Sequence, residues 1–249
     1  MTPVRTILHC TVLALLVFAT TPAATAVEPA AQAEKPVREI SPELRRVLDG
    51  LDGANEDLEG VQADIAYTRE IPLLDESENA DGTLAFRKPD LIHLKLGKPR
   101  NEEVYSDGKQ WWVISHEDRQ VEIYPAAGRG GSVAEASFLT FGYGQSSETL
   151  LEDYRVSLRH TEQAEDEEGT YRLWRLRFAP REGDAPARFS TIEVEITDRL
   201  WLPRKMVLHE SDGEIVHTFA LRGIELNPEL KKKRFHCTPP RGYTVIRPE

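Results

Sequence analysis

The chain has 249 residues, 40% of them hydrophobic and 29% charged, enough for one β-rich core and too apolar for disorder to be the default. A net charge of −11, from 31 basic and 42 acidic residues, argues against nucleic acid and anionic lipid surfaces as partners. The first segment is set apart from the rest. Arg5 precedes an apolar run, Ile7–Phe18, and Ala24-Thr25-Ala26 supplies a small-residue cleavage pattern, so residues 1–26 read as a cleaved signal peptide. The run is well short of the roughly 20 residues that a membrane span needs. Cys10 lies before most of the run and follows His9, which does not fit a lipid-modified cysteine. Processing then leaves Cys237 as the only cysteine, so the fold depends on its core and not on a disulfide, and Cys237 reads as a small apolar filler in a strand.

Residues 27–40 are rich in Ala, Pro, Glu and Lys and predict a flexible lead-in. Ser41-Pro42-Glu43 carries the signals of a helix start, and Leu44, Val47, Leu48 and Leu51 form one stripe. This helix is expected to weaken at Gly50 and Gly53 and to end near Asn55. Val61–Glu70 alternates and predicts a strand, followed by a loop over Pro72 and the acidic Asp75–Asp81. Gly82–Arg87 and Leu91–Leu96 are the next strands, with Leu84, Phe86 and Lys88 on one side and Ile92, Leu94 and Leu96 likewise on one side. Asp107-Gly108 is a hairpin turn, and Gln110–Ser115 and Gln120–Tyr124 follow as strands.

The pattern changes at Pro125. Ala126–Ser132 is small and Gly-rich. Val133–Phe141 has helical character, Gly142-Tyr143-Gly144 breaks it, and Ser146 or Ser147 caps a second short helix. An apolar helical insert at about 126–154, hinged by glycines within an otherwise stranded chain, is a candidate lid. Strands resume at Arg155–His160, with an acidic loop expected at Glu162–Gly169. Tyr171–Ala179 and Phe189–Thr197 come next, then a hairpin of Pro203–Ser211 and Glu214–Glu225 about Asp212-Gly213. Setting Ser211 opposite Glu214 puts Met206 and Leu208 on one face with His217 and Phe219, and His209 on the other. Lys231–Arg234 reads as a solvated basic turn, and a short strand at Tyr243–Ile246 closes the chain.

The expected product is an antiparallel sheet with one apolar side. Alternation assigns Leu84, Phe86, Ile92, Leu94, Trp112, Ile114, Trp174, Leu176, Phe178, Met206, Leu208 and Phe219 to that side, lining a cavity for an apolar ligand. Phe138, Leu139 and Phe141 are the lid residues that would fill its mouth, and the first helix is the candidate cover for the opposite face.

Catalytic chemistry has little to stand on. His93, His116, His160, His209, His217 and His236 show no metal-ligand spacing, the carboxylates fall in loops without a base or nucleophile, and no phosphate loop or dinucleotide fingerprint occurs in context. Neither an enzyme nor a metal or cofactor is expected.

Three stretches in order carry a family resemblance. Gly82-Thr83-Leu84-Ala85-Phe86-Arg87-Lys88-Pro89-Asp90 is followed by Ser106-Asp107-Gly108-Lys109 and Trp112. The ending is Phe235-His236-Cys237-Thr238-Pro239-Pro240-Arg241-Gly242-Tyr243-Thr244-Val245. Together they resemble the LolA family of periplasmic outer-membrane lipoprotein carriers, over nearly all of the chain after residue 41.

The resemblance implies a mainly β fold with α+β character, an unclosed antiparallel half-barrel covered by an N-terminal helix and a helical lid, as a single domain over 41–249. It implies acyl chains of lipoproteins as the ligand, an inner-membrane lipoprotein-releasing transporter and an outer-membrane acceptor as partners, a monomer, and a periplasmic address. In the family an Arg just before the Pro of the first stretch helps latch the lid. Here Lys88 holds that position, and Lys lacks the planar fork of Arg. A lipid- or lipoprotein-sensing regulatory module, or a carrier of free lipid, is the alternative on the same fold.

Overall fold

The computed structural model describes residues 40–126, 131–181 and 188–248. The leader, nearly all of the lead-in and part of the Gly-rich stretch lie outside these residues. Ser41 caps the first helix, α1 (Pro42–Glu56), its hydroxyl accepting from the Leu44 amide at 3.2 Å. The strands are β1 (Gly60–Ile71), β2 (Glu76–Arg87), β3 (Leu91–Leu96), β4 (Glu102–Asp107), β5 (Gln110–Ser115) and β6 (Gln120–Pro125). Two short helices follow, α2 (Gly131–Phe138) and α3 (Ser147–Asp153). After them come β7 (Tyr154–Asp166), β8 (Gly169–Pro180), β9 (Phe189–Thr197), β10 (Pro203–Glu210), β11 (Val216–Leu226) and β12 (Thr244–Ile246).

All twelve strands form one open sheet in the order β12-β6-β5-β4-β3-β2-β1-β11-β10-β9-β8-β7, so it does not close into a barrel. Every pairing is antiparallel except that of β12 with β6. Sequential hairpins build each half. The halves join where β1 pairs with both β2 and β11, which sets the last long strand beside the first. The expected register of the β10–β11 hairpin is observed: Leu208 faces His217 and Met206 faces Phe219.

Two expected loops are strands. Glu76–Asp81 continues β2 and pairs residue by residue with β1, Glu78 opposite Arg69 and Asn79 opposite Thr68. Residues 162–166 continue β7 around a two-residue turn into β8. These hairpin arms reach past the core, so both faces are largely wet and no apolar alternation marks them. Cross-strand polar pairs hold them instead. The Thr68 hydroxyl donates to Asn79 Oδ1 at 2.7 Å. The Arg199 guanidinium grips the second arm through Asp166, Glu168 and the Gly169 carbonyl.

The placement of α1 is also corrected. Leu44, Val47, Leu48 and Leu51 pack into the same cluster as Leu84, Trp174 and Met206, so the helix lies against the apolar face and not on its back. Gly50 is not a weak point. A Cβ there would stand 2.1 Å from the Trp201 ring, so its bareness lets that indole reach the helix. Trp201 in turn stacks on Trp174, whose indole donates to Glu43 at 2.7 Å. The back of the sheet is covered by the chain's end. Phe235 and Leu230 pack on Ala85, and Cys237 packs on Trp112, Ile114 and Val121.

Candidate functional site

The inner face is a continuous apolar surface. Leu84, Phe86, Ile92, Leu94, Trp174, Leu176, Phe178, Met206, Leu208 and Phe219 are all buried in one cluster. Trp112 and Ile114 do not belong to it. They point to the back, and Trp111 and Val113 occupy the inner positions. The run Trp111-Trp112-Val113-Ile114 is apolar throughout because both faces of β5 are covered, so alternation cannot reveal its orientation. Pairing does reveal it, since Val104 and Val113 face each other on the inner side.

The insert lies over this surface. Phe138 sets its edge against Phe189 with centroids 4.8 Å apart, and Phe141 does the same against Phe178 at 4.8 Å and Tyr154 at 5.3 Å. Leu139 and Phe141 are buried, and Phe138 is partly so. The interior is therefore filled by the molecule's own side chains, those of α1 and of the insert. At the insert's margin a pocket of about 270 Å³ opens between Ile92, Trp111, Phe138, Phe141, Leu150 and Tyr154.

A polar clasp from α1 fixes the glycine-bounded turn of the insert. The buried Asn55 amide donates to the Gly142 carbonyl at 2.7 Å, while its Oδ1 accepts from the Gly144 amide at 2.8 Å. Asp52 accepts from the Ser147 amide at 2.7 Å and from its hydroxyl at 2.5 Å. The Tyr143 hydroxyl donates to the Pro203 carbonyl, and burial pushes its ionisation well above the ordinary phenol range. Gly142 and Gly144 have φ of +80° and +74°, a region that side chains disfavour. Ser146 caps α3.

Lys88 reaches this clasp indirectly. Its Nζ donates to the Asn55 carbonyl at 2.8 Å, and its stem packs on Gly144. Arg87 turns to the back and donates to the Leu230 carbonyl at 2.8 Å. Sequence reasoning missed Asp52 and Asn55. A signal existed: Asn55 stands four residues after Leu51, a polar residue on the apolar stripe of α1.

The back carries a separate polar cluster. Glu103 accepts hydrogen bonds from His93, Tyr105 and Lys95, which together hold its carboxyl far below the usual range against the opposing effect of burial. His116 adds a contact at 3.3 Å and bonds Tyr243 at 2.9 Å, tying in the chain's end. Burial pushes the Cys237 thiol up to about 11, which leaves it chiefly protonated and a poor nucleophile at neutral pH. His217 lies buried on the inner face, bonded to Tyr67 and Glu210 at 3.0 Å each, and His209 lies on the other face. Among the described residues, no group of three His, Cys, Asp or Glu side chains is placed to hold a metal ion.

The sequence model of the family described as "Outer membrane lipoprotein carrier protein LolA" matches residues 68–238. The chain belongs to the LolA family. The match starts within β1 and stops before Pro239, so it takes in β2 to β11 and the insert but not α1 or β12. Similar relatives include the outer-membrane lipoprotein carrier proteins of Bordetella avium and Legionella pneumophila strain Lens. The first is 27% identical over 67% of this chain and 70% of the relative, the second 25% identical over 69% and 76%. An uncharacterized conserved protein from Thermus thermophilus shares the fold, with a TM-score of 0.51 and 14% identity over 83% of this chain and 99% of its own. Like the LolA fold inferred from sequence, the sheet here is mostly β, open and accompanied by few helices.

Proposed function

We propose that the protein is a periplasmic carrier that takes acyl chains of lipoproteins onto the inner face of the sheet and shuttles them from the inner to the outer membrane. The reading rests on one observation above others: in a member of the LolA family, a short, separately clasped helical insert plugs an apolar face with Phe138, Leu139 and Phe141. Each methylene that such a face shelters gains roughly 0.8 kcal/mol. The opening at the insert's margin, about 270 Å³, is smaller than the roughly 300–1,000 Å³ of ordinary ligand pockets, so the insert must swing aside before cargo enters. Its own aromatic rings then compete with the cargo. That competition holds affinity down and lets the cargo pass to a better acceptor.

The remaining parts of the proposal follow from this role. The leader 1–26 is removed on export, the donor is an inner-membrane lipoprotein-releasing transporter, the acceptor sits at the outer membrane, the carrier works as a monomer, and it catalyses no reaction. Isolation from the periplasm followed by mass spectrometry of the co-purifying molecule tests the whole. A triacylated peptide is the expected finding. A free phospholipid would replace lipoprotein with lipid as cargo, and protein recovered empty after native extraction would point to a sensing module instead.

A further inference from the structure

A second concavity, of about 580 Å³, lies on the outer side of the β2–β3 turn, away from the apolar face. Its walls come from two parts of the chain far apart in sequence. Arg87 and Lys88 stand at the end of β2, and Lys232 and Lys233 belong to the short 3₁₀ turn Lys232–Phe235. With the Lys88 ammonium turned to the Asn55 carbonyl, three cations, Arg87, Lys232 and Lys233, meet one carboxylate there, Asp107, which sits 3.6 Å from His236. This is a local excess of positive charge on a molecule whose net charge is −11. The two lysines are exposed, and neither lies within ion-pair distance of a carboxylate among the described residues. The placement is not incidental to the turn. Phe235 is fully buried against Ala85 and anchors it, so the lysines are held beside Arg87 and do not swing on a loose tail. Pro89 and Leu91 give the groove an apolar floor.

A strip of cations on either side of an apolar floor selects a ligand with carboxylates flanking an apolar side chain. A bilayer is a poor match, because a molecule with a net charge of −11 is repelled overall by an anionic surface. A short peptide escapes that repulsion by meeting the groove alone. We propose that this groove docks an acidic segment, with an apolar residue at its centre, presented by a partner protein. Such contacts speed and orient encounter more than they add affinity, which suits a protein that must leave its partner again. The inference goes beyond the carrier reading and does not depend on acyl binding.

The test titrates ¹⁵N-labelled protein with a capped Glu-Asp-Leu-Glu-Asp peptide and follows the amide resonances. Shifts should concentrate at 87–91 and 232–236, and should vanish near 1 M salt, where the screening length is about 3 Å. Joint Lys232→Glu and Lys233→Glu substitution should weaken binding about tenfold or more and give a protein that prefers a Lys-Arg-Leu-Lys-Arg peptide. Lys232→Gln with Lys233→Gln should fall between, which separates charge from any folding defect. Equal binding of the acidic peptide by the charge-reversed protein, or shifts centred elsewhere, would overturn the proposal. So would shifts at these residues produced by phosphatidylglycerol vesicles and not by the peptide, which would make the groove a membrane contact.

Discussion

Asn55 shows how much of the closed form hangs on single side chains. It lies where α1, the insert and Lys88 converge, and it satisfies the Gly142 carbonyl and the Gly144 amide at once. Leaving buried partners unmet costs about 1–3 kcal/mol, so Asn55→Ala should lower stability by about 2 kcal/mol and speed amide exchange through 139–147 ahead of the sheet. Both are readable in one hydrogen-exchange series, and uniform loss across the sheet would show that Asn55 supports the core and not the insert. Gly50 is the opposite case, valuable for what it lacks. Gly50→Ala would drive a methyl into Trp201, and overpacking of this kind costs about 1–3 kcal/mol despite the better helix propensity of alanine. A thermal melt of the variant tests this, with a raised Tm as the contrary result. Glu103 supplies a pH dependence. Its carboxyl ionises far more readily folded than unfolded, chiefly through His93 and then through Tyr105 and Lys95. The unfolded chain therefore binds its proton first as pH falls, and the stability Glu103 provides is present at neutral pH and declines below the unfolded value of about 4.5. Urea midpoints at pH 7, 5 and 3 should fall less steeply in Glu103→Gln than in the parent, and parallel slopes would remove Glu103 from the acid response.

At the scale of elements, the proposed carrier depends on whether the insert is a plug or a fixed part of the core. Phe138 distinguishes the two, being half-buried at the edge of the insert with its ring on Phe189. Phe138→Asp puts an unpaired charge at the mouth. It should abolish uptake of a fluorescent fatty acid while the far-ultraviolet spectrum stays that of the parent sheet, and undiminished uptake would show that cargo does not pass the insert. Strand faces were legible wherever one face is wet. The Trp174 and Met206 strands alternate cleanly, and the β10–β11 register followed from a two-residue turn. Where that contrast fails, the sequence is silent. β5 is apolar on both faces, and the arms of β1–β2 and β7–β8 are polar on both, so periodicity could neither orient the first nor detect the ends of the others. The position of α1 was illegible for a different reason. Its stripe demands an apolar surface but does not say which, and that depends on the chain's end taking the back of the sheet.

For the molecule as a whole, α1 and the insert both lie on the apolar face, and that fixes what loading must do on the carrier proposal. Both covers are set into the core, α1 by its four-residue apolar stripe and the Trp174–Trp201 stack, the insert by Val133, Ala136, Leu139, Phe141, Tyr143 and Leu150 and by a polar clasp at a glycine turn. On the carrier reading the insert, bounded by Gly142 and Gly144 at positive φ, is the cover that moves. On that proposal an entering acyl chain would trade contacts with Phe138 and Phe141 for its own and leave the strands where they were. Loading with a triacylated peptide should thus raise amide exchange over 138–153 at least about tenfold, while β2, β8 and β10 keep their protection and α1 changes little. If protection falls in α1 instead, the N-terminal helix is the movable cover and the insert is structural. If nothing changes anywhere, the cargo does not occupy the inner face, and the carrier reading loses its site.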